Sequence, residues 1–434
     1  MPGAKVNVVV VICHDLGRHI GCYGVPEART PNLDAFAAAG IRFSNHFCCA
    51  PQCSPSRAAL WTGRYPHANG MVGLAHSGFQ NELRDSERHL AQILDEAGYE
   101  THLFGLQHVS ASPERCGFKA VHGLGPCRDV AEKTCQFLEE RRGRGPPLFI
   151  QVGLFEAHRP FLHVDVERLD PSQLTVPPYL PDIPEVRGDL ADLEASIASV
   201  DKAFGKIVET LSQSGMEDST IVIFTVDHGI PFTRAKMTLY DPGIETALLM
   251  RIPGVEGGKV YDKLISNVDV LPTLLDLLGM DTPENVQGRS FEPLIMAEGY
   301  ESNQAIFAEK TYHTYYDPMR CIRTEQWKLI ANFEFAPWQD TSPDYDVDAK
   351  SYVEAAKALA VPHERLYHPP FELYDLKNDP WEQRDLAESP EHQEIRDELI
   401  RRLRQWMRDS GDPLLEGPMA QGAYRKRMSD FQRI

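Results

Sequence analysis

Four short apolar runs in the first half of the chain most constrain its fold. They cover residues 8–12, 102–104, 148–154 and 220–226, and they lack the clean apolar–polar alternation of a half-exposed strand. Such runs are typical of strands buried on both faces of a parallel sheet. Helical patterns separate them, so the sequence predicts an α/β fold with a large, mostly parallel sheet flanked by helices.

Three segments between these runs have helical patterns. TPNLDAFAAAG begins with Thr30 as a cap and stops at Gly40, and SERHLAQILDEAG ends in the same way at Gly98. A third helix is predicted from apolar residues at helical spacing that end near Gly215. These residues are Leu190, Leu193, Ile197, Val200, Phe204, Ile207, Val208 and Leu211. We interpret them as ordinary core packing.

The predicted secondary-structure pattern changes after about residue 307. MRCIRTEQWKLIANF alternates like a hairpin, FELYDLKNDP resembles a further strand and turn, and residues 390–410 predict a charged amphipathic helix. Residues 336–370 are polar and contain proline, which indicates a long loop. We expect an α/β domain over residues 1–315 and a smaller α+β subdomain, with an antiparallel sheet, a helix and a tail, over 316–434.

Composition excludes several classes of protein. The 44 basic against 63 acidic residues give a net charge of −19, which argues against a nucleic-acid-binding protein. The nine cysteines are odd in number and scattered, unlike a secreted disulfide framework. No stretch approaches the length of a membrane span, and the N-terminal apolar run lacks a cleavage site. We expect a cytoplasmic protein without membrane contact, and whether it forms a homo-oligomer stays open.

Each predicted strand ends in side chains that can bind a metal or transfer a proton. The four ends carry Cys13-His14-Asp15, His108, His158 and Asp227-His228. Ligands of open α/β sheets bind outside the carboxyl ends of the strands. One histidine in such a position is usually an ordinary loop residue, whereas four such ends predict a shared site. Carboxylates and imidazoles together suit a divalent metal.

The segment CCAPQCSPSRAALWTGRYP crowds three cysteines into six residues. Zinc would require paired ligands at a spacing such as C-x-x-C, which the chain lacks. Ser54 predicts a helix cap with Pro55 at the first position, which places Cys53 just before the helix N-terminus. Partial positive charge there favours a thiolate or an oxyanion, and Arg57 adds a cation. A buried inert thiol is the commoner fate of a free cysteine.

Residues 53–64, CSPSRAALWTGR, match the signature C-x-P-S-R-x-x-x-x-T-G-R of the type I, formylglycine-dependent sulfatases. HDLGRHIGCYG and TVDHG are similar to the metal-binding segments of that family, and LYDLKNDPWEQRDLA resembles its C-terminal subdomain. DHGIPFTRAKMTLYDPG and YHTYYDPMR look closest to the heparan N-sulfatase branch. The resemblance implies an alkaline-phosphatase-like fold, and conversion of Cys53 to formylglycine by a formylglycine-generating enzyme. Cys48 and Cys49 lie outside the motif, and we interpret them as structural.

The resemblance also implies roles for single residues. The expected metal ligands are His14, Asp15, Cys53, Asp227 and His228. The expected catalytic residues are Cys53, Arg57, His108, His158 and Lys236. The expected substrate-binding residues are His313 and Arg320. The expected metal is Ca²⁺, which an oxygen-rich site suits, whereas added imidazoles favour Mn²⁺ or Zn²⁺.

Two positions depart from the family pattern. His14 stands where the family usually has an aspartate ligand. The family's Gly-Lys-Trp-His reads Gly105-Leu106-Gln107-His108, so the lysine that normally contacts the formylglycine hydrate and sulfate is absent, while His108 remains.

Three functional hypotheses follow. The first is hydrolysis of sulfate esters or sulfamates, with an aryl sulfate or a sulfated saccharide such as N-sulfoglucosamine as substrate. The second is a phosphonate monoester or phosphodiester hydrolase, which shares the fold and the formylglycine. The third is a non-catalytic binding protein on this fold, against which the intact signature argues.

Overall fold

The computed structural model describes residues 6–76, 78–163, 165–313, 315–335, 354 and 367–433. The predicted α/β class is confirmed. The strands are β1 Asn7–Cys13, β2 Ile41–Phe43, β3 His46–Phe47, β4 Glu100–Gly105, β5 Ala120–Val121, β6 Leu148–Gly153, β7 Thr220–Val226, β8 Leu248–Arg251, β9 Lys259–Tyr261, β10 Ile265–Ser266, β11 Ile306–Tyr312, β12 Tyr316–Arg323, β13 Trp327–Asn332 and β14 Phe371–Asp375.

Helices cover both faces of the large sheet, and two further helices follow the antiparallel sheet described below. They are α1 Pro31–Ala39, α2 Cys53–Thr62, α3 Pro66–Asn69, α4 Leu90–Glu96, α5 Cys127–Arg141, α6 Pro184–Gln213, α7 Asp241–Ile244, α8 Val270–Leu277, α9 Glu292–Ile295, α10 Gln393–Asp409 and α11 Gly422–Gln432. In the part of the chain that the structure describes, no helix combines the length and apolar character needed to cross a bilayer.

The large sheet has eight strands in the order β5-β4-β6-β1-β7-β8-β2-β9. All pairs among the first five strands are parallel, and only β8 runs against its neighbours. The four apolar runs predicted from the sequence are the central strands β4, β6, β1 and β7. Polar ends of these strands therefore meet at one edge of the sheet.

Strand β1 shows why its sequence is apolar throughout. Val9 and Val11 belong to the core cluster on one face, which contains α5 and α6 residues. Val8, Val10 and Ile12 belong to the cluster on the other face, with residues of α2, α4 and α8. Because successive side chains of a strand point to opposite faces, burial of both faces removes the polar positions.

The predicted helices are present, with one local correction. The helix α1 follows Thr30, but the Thr30 side chain makes no cap hydrogen bond. Its hydroxyl instead accepts a hydrogen bond from the Gly21 backbone N–H at 2.9 Å. The apolar stripe that ends at Leu211 lies on α6, as predicted, and packs in the core.

The second sheet is antiparallel, with the order β11-β12-β13-β14. The predicted hairpin joins β12 and β13, and the strand predicted from FELYDLKNDP is β14. The sheet includes β11, which precedes residue 315, so the division at that residue stays a prediction. The predicted loop over 336–370 lies, except for residues 354 and 367–370, outside the described residues.

This sheet packs on both faces. One face contributes Ile306, Cys321 and Tyr374 to a cluster with Phe47 and Leu239 of the larger unit. The other face packs on α10, through a cluster that contains Ile322, Leu329, Leu399, Leu403 and Trp406 and also Ala59 of α2. The sheet therefore supports α2 directly.

A buried ion pair joins β12 to the chain that follows α10. The Arg320 guanidinium donates to both carboxylate oxygens of Asp412, at 2.6 and 3.1 Å. Glu309 lies 3.6 Å from the same guanidinium and also binds His67. All four side chains are buried. The pair therefore ties the end of α10 to the sheet at a place without solvent screening.

The buried pair predicts a large loss of stability when one partner is removed. Arg320→Ala removes the positively charged partner of the buried Asp412 and Glu309 carboxylates. The change should therefore lower the free energy of unfolding by about 3–5 kcal/mol. Arg404→Ala, at an exposed position of α10, should leave it almost unchanged. Chemical denaturation of both variants measures the difference, and equal stability of the two would contradict the structural role.

Candidate active site

The pairing of β1 with β7 places four polar residues side by side. Cys13 is in register with Val226, so His14-Asp15 and Asp227-His228 leave the sheet together. The backbone N–H groups of Asp15 and His228 both donate to one Asp227 oxygen, at 3.0 and 2.9 Å. Asp227 thus fixes both chain segments at the carboxyl edge.

The helix α2 brings Cys53 to the same edge, and it begins earlier than predicted. Cys53 is the first helical residue, because the Ser56 N–H already donates to the carbonyl of Gln52, which has an extended backbone. Ser54 is not the cap; its hydroxyl accepts from the Ala75 N–H at 3.0 Å. Cys53 therefore lies in the first turn, among the free N–H groups of the helix start.

The Cys53 thiol lies between two imidazoles. Its Sγ atom is 3.3 Å from Nε2 of His228 and 3.9 Å from Nδ1 of His14. Together with Asp15 and Asp227, these residues offer five ligand atoms within 4.8 Å of one another, all on buried residues. The structure therefore brings together all five residues expected to bind the metal.

The imidazoles have the protonation states of metal ligands. His228 Nδ1 lies 3.0 Å from the Gly229 carbonyl, which leaves Nε2 as the atom that faces the cluster. Burial lowers the pKa of His14 to about 4, although Asp227 and Asp15 oppose the shift. Burial also lowers the pKa of His228. Both rings are neutral at pH 7 and retain a lone pair.

The two carboxylates stay ionised despite complete burial. Burial raises the pKa of Asp15, but the Lys236 ammonium at 2.7 Å and the neighbouring imidazoles outweigh it and hold the pKa well below its usual value. For Asp227, burial is likewise outweighed by His14, by His228 and then by Arg57, whose Nε lies 2.9 Å away. The site is an ionised cluster rather than a neutral one.

Two buried cations complete the cluster. Arg57 and Lys236 expose at most 2% of their surface. Arg57 is one turn from Cys53 on α2, whereas Lys236 follows β7 by a loop. A buried lysine held by a carboxylate is not an ordinary surface lysine, and its charge is available to an anion that enters the site.

His108 and His158 lie on the less buried side of the cluster. The His158 ring centroid is 4.6 Å from that of His14, and its Nε2 is 3.9 Å from an Asp15 oxygen. The His108 ring is 5.6 Å from that of His14. Burial first, and then neighbouring cations, hold the pKa of His108 well below its ordinary value, so this ring is a neutral proton acceptor.

The turn that carries His108 is held by a side chain of its own segment. His108 has a positive φ of 60°, a conformation that needs local support. The Gln107 carboxamide oxygen accepts from the Ser110 N–H at 2.9 Å and closes the turn. Gln107 is therefore bound to its own loop.

Three further residues belong to the site and were not predicted. His76, which is exposed, places Nδ1 3.0 Å from Nε2 of His108. Gln52 donates to the Tyr312 carbonyl at 2.8 Å. Asn267 donates to the carbonyl of Ser56. Only Gln52 carried a sequence signal, because it adjoins Cys53; the other two come from distant segments.

The two expected substrate-binding residues are placed differently. His313 directly follows Tyr312, whose carbonyl binds Gln52, so its backbone lies near the start of α2. Arg320 binds the buried carboxylates of Asp412 and Glu309. Among the residues that the structure describes, none of its contacts is with the ligand cluster around Cys53. The structure thus brings His313 toward the site and binds Arg320 elsewhere.

Cys48 and Cys49 are buried in core clusters. The Cys49 N–H donates to the Asn267 side chain at 3.0 Å. Their placement fits the structural interpretation.

Two family models match the chain. The model "Sulfatase" matches residues 6–280, and "N-sulphoglucosamine sulphohydrolase, C-terminal" matches residues 230–358. The first spans the signature, both metal segments, His108, His158 and Lys236.

Characterised proteins and solved structures agree with the models. The chain is 29% identical to an ulvan-active sulfatase of Formosa agariphila, over 95% of this chain and 82% of that protein. It is 28% identical to human N-sulphoglucosamine sulphohydrolase, over 95% and 92%. A structure from work on glycosaminoglycan metabolism by Bacteroides thetaiotaomicron superposes with a TM-score of 0.75 at 22% identity, covering 94% of this chain and 97% of that one. The chain belongs to the sulfatase family, with an alkaline-phosphatase-like fold and the sulfuric ester hydrolase activity of that family.

Proposed function

We propose that this sulfatase removes sulfate from a sulfated saccharide, as an ester or a sulfamate, with formylglycine derived from Cys53 as the nucleophile. The observation that carries the proposal is the position of Cys53, in the first turn of α2 and 3.3 Å from His228, inside the ligand cluster. The similarity to N-sulphoglucosamine sulphohydrolase and to ulvan-active sulfatase supports a saccharide substrate.

His14, Asp15, Asp227 and His228 are proposed to hold the metal, with the residue-53 side chain completing its ligands. The donor set fits a divalent cation, since it combines two ionised carboxylates with two neutral imidazoles. The bound metal supplies positive charge for the sulfate oxygens. Lys236 adds a second positive charge on the side of Asp15.

Hydrated formylglycine supplies two hydroxyls, one to attack sulfur and one to lose its proton when sulfate is expelled and the aldehyde returns. Asp15 or Asp227 is proposed to accept the proton of the attacking hydroxyl. Arg57 holds Asp227 and stays beside the helix start, so it keeps the nucleophile oriented. Negative charge moves onto the leaving atom as its bond to sulfur breaks.

His158 or Lys236 is proposed to donate a proton to that leaving oxygen or nitrogen. Both lie near one Asp15 oxygen, His158 at 3.9 Å and Lys236 at 2.7 Å. His108 is proposed to accept the proton of the second hydroxyl, because its lowered pKa keeps it neutral. His76, at 3.0 Å, then passes that proton toward solvent.

Maturation needs a formylglycine-generating enzyme as a transient partner. The segment around Cys53 is buried in the folded chain, so conversion must precede folding. We also propose a reducing, cytoplasmic location, which the nine free cysteines support.

Cys53→Ala should abolish turnover of p-nitrophenyl sulfate without unfolding the protein, because the side chain is the nucleophile precursor and alanine fits its space. Mass spectrometry of the peptide around residue 53 in active wild-type enzyme should show an aldehyde in place of the thiol. Full activity in a sample that retains the thiol would contradict the proposal.

Removal of the metal should abolish activity, and Asp227→Ala should weaken metal binding sharply, because Asp227 also orders the backbone of Asp15 and His228. Reconstitution with Ca²⁺, Mn²⁺ and Zn²⁺ identifies the ion: the two carboxylates suit Ca²⁺, whereas the two imidazoles suit Mn²⁺ or Zn²⁺. Elemental analysis that finds no stoichiometric metal in active enzyme would contradict the site.

His76→Ala should move the acidic limb of the kcat profile to higher pH. Burial lowers the pKa of His108 most, and the positive charge that His76 carries in the acidic range lowers it further. Removal of His76 therefore raises that pKa, and His108 becomes protonated at a pH where it is neutral in the wild type. His102→Ala, in a histidine pair with His122 at the β4–β5 edge, is the control. Unchanged profiles for both variants would remove His76 from the relay.

Rates on aryl sulfates and phenyl phosphonate esters separate this proposal from the phosphonate hydrolase hypothesis. A profile of sulfated substrates that includes N-sulfoglucosamine, on fully converted enzyme, then identifies the saccharide. A preference for the phosphonate ester would overturn the substrate assignment while leaving the formylglycine chemistry intact.

A further inference from the structure

The histidines near the Cys53 cluster become more exposed from His108 to His76. Cys53, Asp15 and Lys236 are almost fully buried, whereas His108 is half-buried and His76 is exposed. His76 and His108 are within hydrogen-bond distance, and the Phe79 N–H donates to the His76 carbonyl at 3.0 Å, so the chain that follows His76 lies beside this histidine pair. We call residues 78–81 the rim segment.

The last described helix, α11, is attached to the rim segment. The Ala423 N–H donates to the Phe79 carbonyl at 2.9 Å, and the Gly422 N–H donates to the Asn81 side chain at 3.1 Å. A Cβ atom at Gly422 would lie 1.8 Å from the Gln80 carbonyl oxygen, so only glycine permits this approach. The start of α11 therefore lies against the segment that follows His76, on the exposed side of the His76–His108 pair.

Beyond this attachment α11 is exposed and basic. Residues 424–433 are all exposed, and Ala423 is the buried residue of the helix. The charged residues between 424 and 433 are Arg425, Lys426, Arg427 and Asp430 of the helix and Arg433 directly after it. Four cations against one carboxylate stand out on a chain with a net charge of −19. An anionic partner is attracted here and repelled by most of the remaining surface.

The same helix exposes apolar side chains, two of them aromatic. Tyr424, Met428 and Phe431 are 56%, 36% and 74% exposed and share one helical face by their spacing. Arg425 and Arg427 flank that face. An isolated helix of 11 residues is marginal in water, so contacts with a ligand would stabilise this one.

We propose that α11 binds the anionic chain of a sulfated polysaccharide while one of its sulfate groups occupies the Cys53 site. The inference rests on the proposed function and deepens it. Guanidinium groups bind sulfate and carboxylate groups with paired hydrogen bonds, and the exposed rings offer flat faces to the sugars. The helix is about 16 Å long, which exceeds a single sugar. We therefore expect α11 to contact several sugar units of a chain and to make no contact with a small aryl sulfate.

The test uses the triple variant Arg425→Gln, Lys426→Gln and Arg427→Gln. In a Cys53→Ala background, which binds without turnover, the triple change should weaken binding of fluorescein-labelled heparin by roughly tenfold or more and flatten its dependence on salt. With Cys53 intact, the same changes should leave kcat/KM for p-nitrophenyl sulfate unchanged. The matched control removes three exposed arginines of α10: Arg401, Arg404 and Arg408.

The outcomes separate the alternatives. Unchanged heparin binding by the triple variant, or an equal loss of heparin binding in the α10 control, overturns the proposal that α11 binds the polysaccharide. So does a parallel loss of p-nitrophenyl sulfate turnover, which would show a structural role for α11. Binding of the wild type to anionic phospholipid vesicles that the triple change abolishes, with heparin binding unchanged, would assign α11 to a membrane surface. Absence of p-nitrophenyl sulfate turnover in the wild type would instead contradict the proposed function.

Discussion

Two fully buried carboxylates require positive charge around them, and the rest of the structure supplies it. Asp15 and Asp227 have essentially no contact with solvent, and an ion in that position is strongly destabilising unless positive charge surrounds it. Lys236 contacts Asp15 and Arg57 contacts Asp227, while the metal proposed for this site would contribute the remaining charge. Lys236 and Arg57 therefore stabilise the buried carboxylates of the folded protein even without substrate. A sulfate group that enters the site meets positive charges whose positions are already fixed.

The surrounding fold meets the geometric demands of this cluster. The adjacency of β1 and β7 delivers both carboxylates to one edge. The helix α2 delivers Cys53 and Arg57 together, and Gly63 caps its C-terminal end; the left-handed φ of 65° and the close approach to Val286 explain why this position of the signature is glycine. The antiparallel sheet then supports α2 from the other side, through Ala59 and through the Gln52 bond to β11.

Much of this could be predicted from local sequence, because the relevant constraints are local. Burial on both faces makes a strand apolar throughout, and residues placed directly after such strands must meet at the sheet edge. The exact start of α2 could not be predicted, since Ser54 and Pro55 fit a helix start whether or not Ser54 is the cap. Arg320 shows the larger limit: a sequence similar to a substrate-binding segment does not reveal that its guanidinium binds Asp412, which lies 92 positions further along the chain. His76 was missed for the same reason, because its partner His108 belongs to another loop.

The most direct test of the central claim is a trapping measurement on Cys53→Ser. The substituted side chain has a single hydroxyl, so it can attack sulfur but has no second hydroxyl whose deprotonation expels sulfate. If residue 53 is the nucleophile, p-nitrophenyl sulfate should release at most one p-nitrophenol per enzyme molecule, and intact-protein mass spectrometry should find one sulfuryl group on residue 53. Continued turnover by this variant, or release of p-nitrophenol without modification of residue 53, would show that the attacking group lies elsewhere.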